Sequence, residues 1–199
     1  MLIEMDKLEA QQSHDLLTSA IIPRPIAWVS TVSLLGEHNL APFSFFTGIT
    51  WRPATLGISI VNRPDGTEKD TLRNIRQTRE FVVNSVCVEQ GSLMFKTAQM
   101  LPYGTDEASR CDVEMIPASK VRPRRVKDAR VCFECGLLDI VTVGNGPFSG
   151  NLVLGTVLVI HVDDRVFRDG REISWADLDN LGRIGGYNRF CAVRSVIEM

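Results

Sequence analysis

The sequence predicts a mainly β protein, a barrel or a sandwich with two or three helices appended. Three observations lead to this class. Short apolar runs rich in β-branched residues recur along the chain, with turn-forming residues between them. These runs outnumber the stretches that have helical periodicity. They also do not alternate regularly with helices, as the strands of a parallel α/β sheet would.

Length and composition narrow the function classes. The 199 residues, 44% hydrophobic and 23% charged, suit one globular domain spanning residues 1–199. The formal net charge of −2 gives no reason to expect nucleic acid or a membrane as the partner. No apolar run approaches the roughly 18 residues that span a bilayer, and the N-terminus is too polar and acidic for a signal peptide. Five scattered cysteines indicate reduced thiols and a cytoplasmic location.

The predicted strands follow one another from Ile26 onward. They are IAWVSTVS, TLGISIV, EFVVNSVCV, ARVCFECGLLDIVTV and NLVLGTVLVIHV. Turn chemistry separates them: LGEHN follows the first, residues 144–147 precede the last, and Asp169-Gly170 is a hairpin signal further on.

One helix is predicted in TEKDTLRNI, between TLGISIV and EFVVNSVCV. Thr67 and Asp70 have the spacing of a capping box, and Leu72 and Ile75 form an apolar pair at helical spacing. A second helix is expected to begin near Ser92.

Residues 101–126, here named the excursion, differ in composition from the rest of the chain. They hold three prolines and little periodicity, which predicts a long path over the surface, of a kind that is usually functional or interfacial. The basic run KVRPRRVKDAR overlaps this segment and lacks the interleaved aromatic residues of a nucleic-acid patch. We interpret it as solvated surface, or as a contact with a phosphate-bearing cosubstrate or a partner subunit.

The spacing leaves two interpretations of Lys69, Asp70 and Thr71 open. With Thr67 as N-cap, Lys69 and Thr71 would lie in or beside the first turn, where free N–H groups and the helix dipole favour a phosphate. Alternatively, the segment is only a capped surface helix, which the acidic residues Glu68 and Asp70 favour. Asp70 suits a phosphate site only if its carboxylate turns back to the Thr67 N–H.

A second candidate combines hydroxyl groups with aromatic side chains. Ser30-Thr31 ends an apolar strand, and NLAPFSFF follows at residues 39–46. This mixture suits a ligand with a polar tail and a flat ring system. A strand with inward Phe and outward Ser explains the same pattern equally well.

Other residues point away from metal or nucleophilic chemistry. Cys132 and Cys135 lie three apart in a strand, so they face opposite sides and cannot share a disulfide or a metal. The sequence His161-Val-Asp-Asp is more typical of a solvated strand end than of a metal site. Glycine-rich nucleotide motifs and a nucleophile elbow are absent, so the sequence gives no support for a hydrolase.

The motifs together resemble one known family. In order they are PRPIAWVSTV, NLAPFSFF, RPDGTEKDTLRNI, EFVVN, FECGLLDI, VIHVDDRVFRDGRE and GRIGGYNR, and they cover most of the chain. They resemble the flavin reductase-like family, which includes flavoredoxin and the reductase components of two-component monooxygenases. The resemblance implies a six-stranded Greek-key split β-barrel that binds FMN, in preference to FAD, usually as a homodimer with the flavin near the subunit interface.

The resemblance also implies a set of cofactor-binding residues. The flavin phosphate would be bound by Thr31, Asn62, Lys69 and Thr71, with Ser30 close by and Asp70 in the same turn. Asn39, Ala41, Pro42, Phe43 and Ser44 would run along the flavin. Gly185, Gly186 and Tyr187 would lie near the ring or its rim.

The implied activity is hydride transfer from NAD(P)H to the flavin N5, with the cofactor carrying the reactivity. Two alternatives remain: a flavoredoxin-like electron carrier that does not use nicotinamide, and a non-enzymatic split barrel without flavin. An oxygenase or an electron-transfer protein would be the partner that receives the electrons.

Overall fold

Strands dominate the fold, as predicted. The computed structural model describes residues 1–199 and contains fourteen strands and five α-helices. The strands are β1 Arg24–Pro25, β2 Ala27–Val32, β3 His38–Phe43, β4 Phe46–Trp51, β5 Ala54–Val61, β6 Glu80–Asn84, β7 Met115–Ile116, β8 Arg125–Val126, β9 Val131–Val143, β10 Gly150–Val162, β11 Phe167–Arg168, β12 Glu172–Ile173, β13 Leu181–Arg183 and β14 Phe190–Ala192. The helices are α1 Ala10–Ala20, α2 Asp70–Thr78, α3 Gly91–Lys96, α4 Glu107–Arg110 and α5 Trp175–Leu178.

Seven strands form one antiparallel sheet, in the order β3-β2-β6-β9-β10-β5-β4. β3 and β4 lie at opposite edges of this sheet, yet only Ser44 and Phe45 separate them in the chain. Three residue steps reach about 11 Å at most, so the sheet has to curl until its edges meet. No strand ladder pairs β3 with β4, so the line along which these two edges meet is an unpaired seam. The predicted barrel class is confirmed, and its main sheet has seven strands because β4 extends it beyond β5.

The interior of the barrel is filled from alternating strand positions and from one helix. Ala27 and Val29 of β2 point inward, and Leu72 and Ile75 of α2 close one end, each with no exposed surface. A Cβ atom on Gly155 of β10 would lie 2.3 Å from Cζ of Phe81. Only glycine at position 155 therefore lets the Phe81 ring fit inside the barrel.

A second apolar cluster lies on the outer face of β2, β6 and β9. Trp28 is fully buried there against the excursion, which contributes Val113, Val121 and Val126. The buried Glu134 carboxylate also accepts the N–H groups of Ser119 and Lys120, each at 2.6 Å. The excursion therefore follows the outer surface of the barrel, as predicted, and a few buried side chains pack it there as a second layer. Proline-rich and aperiodic segments can pack as well as regular ones when their backbone groups find partners.

The cysteines behave as the sequence predicts. All five are free, and Cys132 and Cys135 belong to the two different apolar clusters on opposite sides of β9. Burial raises the pKa of both thiols to about 12, so they are held as neutral apolar groups. The helices include none that has the length and apolarity to cross a membrane.

Candidate functional site

A groove lies beside the seam, bounded by β3, by the N-terminal end of α2 and by residues 97–101. Two adjoining cavities of about 200 and 330 Å³ form it. They share the lining residues Pro42, Phe43, Arg63, Lys69, Met100 and Arg183. Apolar walls and a few charged groups in one concave site are typical of ligand binding.

The groove collects most of the residues that the sequence predicts for the cofactor. Those that line it are Asn39, Ala41, Pro42, Phe43, Ser44, Asn62, Lys69, Asp70, Thr71, Gly185 and Tyr187. Ser30, Thr31 and Gly186 do not line it. Their contact with a cofactor, like that of the others, remains a prediction.

Ser30 is separated from the groove by the alternation of side chains along β2. Its hydroxyl donates to the Arg124 carbonyl at 2.5 Å, on the side of the second layer. Thr31 points the other way and is fully buried. Because neighbouring strand residues face opposite sides, these two hydroxyls cannot serve one ligand from their side chains.

Thr31 instead supports the groove through a buried hydrogen-bond network. The Asn39 side-chain amide donates to the hydroxyl groups of Thr31 and Thr71, at 3.2 and 3.0 Å. Asn74 donates to the same Thr31 hydroxyl at 3.1 Å. These four side chains tie β2, β3 and α2 together, so they fix the position of the helix relative to the groove. Asn74 was not among the predicted residues.

The start of α2 differs from the predicted capping box. The N-cap position is Lys69, and it makes no side-chain cap. The N–H and hydroxyl of Thr67 both donate to Asp65, at 2.9 and 2.6 Å, in a local turn. The capping-box prediction is wrong because Asp65 competes for Thr67, as short acidic side chains often do in turns.

Asp70 faces the groove rather than the backbone of Thr67. Its Oδ1 accepts Nη2 of Arg63 at 2.7 Å, and both side chains are mostly buried. Arg63 also donates to the Glu68 carbonyl, so it clamps the turn that leads into α2. The guanidinium neutralises the carboxylate, which removes the repulsion that Asp70 would otherwise exert on an anion. The expectation that Asp70 turns back to Thr67 is therefore wrong.

Lys69 is the free cation of this part of the groove. It is half-buried, its Nζ lies 5.5 Å from the centre of the Phe43 ring, and no carboxylate is within ion-pair distance. Burial, and then the nearby Arg63, lower the pKa of Lys69 from its ordinary value. The N–H groups of residues 70–72 beside it have no acceptor in the protein, as expected for the first turn of a helix. An unpaired ammonium next to free N–H groups favours an anionic ligand.

Asn62 and Ser44 are already bonded to protein groups. Asn62 donates to the Ser149 hydroxyl at 2.9 Å and accepts from Asn151 at 2.9 Å, which ties the turn before α2 to the hairpin of β9 and β10. The Ser44 hydroxyl accepts from Nε of Arg24 at 3.3 Å. Both side chains thus shape the groove in addition to lining it.

Glu107 of α4 is a groove residue that the sequence did not indicate. Its Oε2 accepts the Leu40 N–H at 2.9 Å, on the side of β3 that faces away from β2, and it is almost completely buried. Burial raises the pKa of Glu107 to about 6, against the opposing effect of the Leu40 hydrogen bond. Pro42, two residues further along this free edge, has no N–H.

The C-terminal motif contributes part of the rim of the groove. Gly185 has φ +51° and lines the larger cavity, while Tyr187 is largely exposed at the edge of the smaller one. The Tyr187 ring meets Phe95 edge-on, with centroids 6.0 Å apart. Arg183 donates to the Tyr187 carbonyl at 2.8 Å and so holds this turn.

The basic run KVRPRRVKDAR lies outside the groove. Arg122 pairs with Glu80 at 2.9 Å, and Lys127 pairs with Glu114 at 2.8 Å. Two of its six positive charges are therefore matched within the chain. The cations of the groove are Arg24, Arg63, Lys69 and Arg183, of which the sequence analysis singled out only Lys69. Arg63 and Arg183 stand within motifs that carry the family resemblance, which is the signal that could have found them.

Known proteins resemble this chain over most of its length. A model of the flavin reductase like domain matches residues 19–175. An uncharacterized protein of Aquifex aeolicus is 36% identical over 87% of this chain and 86% of its own. The crystal structure of nitrilotriacetate monooxygenase component B from Bacillus cereus is 29% identical, with a TM-score of 0.94 over 100% of this chain and 98% of that one. A protein with a split barrel domain from Shewanella frigidimarina has a TM-score of 0.84 at 19% identity, over 98% and 94% of the two chains.

Replacing the Glu107 carboxylate by an amide is expected to stabilise the protein at neutral pH. The pKa of the Glu107 carboxyl is about 6 in the folded protein, whereas its ordinary value is 4.5. The folded state therefore binds the proton more tightly than the unfolded state, and the free energy of unfolding falls as the pH rises from 4.5 to 6. Glu107→Gln should therefore raise the free energy of unfolding at pH 7.5 by about 1–2 kcal/mol. Urea unfolding at pH 7.5 and at pH 4 measures this.

The exposed Glu114 provides the matched control. Glu114→Gln should change the unfolding free energy by less than about 0.5 kcal/mol. At pH 4 the advantage of Glu107→Gln should disappear, because the carboxyl is then protonated in both states. An advantage that persists at pH 4 would contradict the prediction.

Proposed function

Because this chain belongs to the flavin reductase-like family, we propose that it binds FMN in the groove and catalyses NAD(P)H-dependent reduction of flavin. Membership of this family supports a flavin-linked oxidoreductase function. The choice of FMN as the flavin and of a nicotinamide as the electron donor is our proposal. The observation that carries it is Lys69, an unpaired and half-buried ammonium beside the free N–H groups of α2. This donor set fits the phosphate of FMN, and the apolar wall of Phe43 and Met100 fits a flat ring.

The residues of the groove have separate tasks in this proposal. Lys69 and the first-turn N–H groups of α2 bind the flavin phosphate, while Asn39 and Thr71 hold that turn in place. β3 and Met100 shield the ring from water along one side. The flavin, when bound, supplies the ring nitrogen that accepts a hydride from the nicotinamide. Binding and alignment of two reactants is then the main contribution of the protein, so no side chain is assigned as an acid or base.

The destination of the electrons is also part of the proposal. The Bacillus cereus protein is named as a component of a monooxygenase. By that likeness, we propose that reduced flavin leaves this chain for a separate oxygenase.

Anaerobic mixing tests the activity. The FMN-loaded protein is expected to lose its visible flavin absorbance when it is mixed with NADH or NADPH in a stopped-flow instrument. Protein mixed with buffer alone is the control. If neither nucleotide bleaches the flavin but a reduced ferredoxin does, the electron-carrier alternative replaces the reductase. A colourless protein that ignores added FMN would leave only the non-enzymatic split barrel.

Removal of the Lys69 charge tests the phosphate site. Lys69→Ala is expected to weaken FMN binding by about 1.5–3 kcal/mol, because a charge-assisted hydrogen bond to the phosphate is lost. Titration of FMN fluorescence measures the dissociation constant. Lys127→Ala, which removes an exposed lysine paired with Glu114, is the control and should leave the constant unchanged. An FMN affinity of Lys69→Ala equal to that of the wild type would mean that Lys69 only covers the surface of the helix.

A homodimer is the third part of the proposal. Strands β4, β9 and β10 expose large apolar side chains, including Ile49, Trp51, Leu138, Val141 and Leu158. Trp51 is 92% exposed. Apolar surface of this extent is typical of association sites, and a second copy of the chain is the proposed partner. Sedimentation velocity is expected to give twice the chain mass of 22.2 kDa, and a monomer at micromolar concentration would contradict this.

A further inference from the structure

Two arginines stand directly opposite each other at the end of the groove. β1 pairs with β13 in an antiparallel register that matches Arg24 with Arg183. Residues opposite each other in such a pair have Cβ atoms about 5 Å apart, and like charges in this arrangement repel. The fold nevertheless keeps both cations together.

Neither arginine is neutralised by the protein. No carboxylate lies within ion-pair distance of Arg24 or Arg183, although ten other pairs form along the chain. Arg24 is only 2% exposed. Burial lowers the pKa of both guanidinium groups, and Arg183 lowers that of Arg24 further. The groups that Arg24 does meet are neutral: the Ser44 hydroxyl and the carbonyls of Thr18 and Ile21 at the end of α1. A buried charge without a counter-charge is costly, so the site favours an anionic partner that the chain itself does not supply.

The larger cavity of the groove has an unusual charge composition. Its lining includes Arg24, Arg63, Lys69 and Arg183 but no aspartate or glutamate. The chain as a whole has more acidic than basic residues, 24 against 22. Arg63 is neutralised by Asp70, which leaves three cations. Such a concentration of one sign in a cleft attracts ligands of the opposite sign.

Both arginines also keep donors free. The hydrogen bonds of Arg24 use Nε, toward Ser44, and Nη1, toward the carbonyls of Thr18 and Ile21, while Nη2 has no acceptor. Arg183 uses Nη2 toward Tyr187, and its buried Nε has no partner. The Arg183 guanidinium lies 5.9 Å from the Tyr187 ring centre and 5.7 Å from that of Phe190. Contact with ring faces restrains the planar group and leaves its edge available for oxyanions.

We propose that Arg24 and Arg183 form a second anion subsite, which binds the diphosphate of a nicotinamide dinucleotide beside the flavin. The inference rests on the proposed function, because Lys69 and α2 are assigned there to the flavin phosphate. The two arginines then remain for the second reactant.

Charge balance favours a diphosphate over a single carboxylate. A diphosphate bridge carries one negative charge on each phosphate, so each arginine meets one. A carboxylate would neutralise one guanidinium and leave the other buried and unpaired. Arginine also matches phosphate oxygens with paired N–H donors, which is why it is common at such sites.

Calorimetric titration of the FMN-saturated protein tests this subsite at low ionic strength. The probes are ADP, which has the diphosphate, adenosine, which has none, and benzoate, which has a single carboxylate. The wild type is expected to bind ADP at least about tenfold more tightly than either of the others. Arg183→Gln should weaken ADP binding by about 10-fold to 100-fold.

Two further variants keep the result interpretable. Arg24→Lys retains the charge of the more deeply buried partner and should lose less ADP affinity than Arg183→Gln. Arg168→Gln removes an exposed arginine paired with Asp177 outside the groove and should bind ADP as the wild type does. An unchanged circular dichroism spectrum and an unchanged urea midpoint show that each variant is folded.

Three results would overturn the subsite. They are unchanged ADP binding in Arg183→Gln, benzoate binding as tight as that of ADP, and no ADP binding to the wild type. The same titrations without FMN separate this inference from the proposed function. A protein that fails to bind FMN, yet binds ADP through Arg183, would keep the arginine subsite and lose the flavin site.

Discussion

The short link between β3 and β4 is the constraint on which the rest of the structure depends. Ser44 and Phe45 connect the two outermost strands of a seven-stranded sheet, so the sheet has to curl into a barrel whose two edge strands lie side by side. Closure brings β3 beside the turn that precedes α2 and brings β1 beside the same link, where Arg24 bonds to Ser44. The groove is therefore a direct result of closure. It forms where the curled sheet meets itself and where backbone hydrogen bonding is interrupted.

Helix α2 combines a packing task with a binding task. Leu72 and Ile75 insert into the barrel and fix the helix axis, while Thr71 and Asn74 anchor it to β2 and β3 through the buried amide network. An element held this firmly presents its first turn at a constant position. Lys69 and the free N–H groups are thus preorganised, so little conformational entropy is lost when an anion binds. The barrel interior on which α2 packs is itself tightly filled, since the Phe81 ring lies directly against Gly155. This packing also restrains the position of the helix.

The sequence predicted the elements of this structure better than the contacts between them. Five strands of the main sheet, helix α2 with its buried Leu72 and Ile75, and the opposite facing of Cys132 and Cys135 all follow from periodicity, which is a local property. The capping box failed because Asp65 captures Thr67, a competition that spacing alone does not reveal. The packing of the excursion was missed because its partners, such as Glu134, come from a distant strand. Arg24 and Arg183 lie 159 positions apart, so only the strand register makes them neighbours.

The outer edge of β3 has a consequence for how copies of this protein meet. An unpaired edge strand normally offers N–H donors on which another chain can extend the sheet, and such extension is a common origin of aggregation. Along β3 the Leu40 N–H is already occupied by Glu107, and Pro42 has none to offer. Strand addition is blocked there by the loss of successive donors. Self-association of this chain should accordingly proceed face to face, through side chains, and leave the entrance of the groove uncovered by foreign backbone.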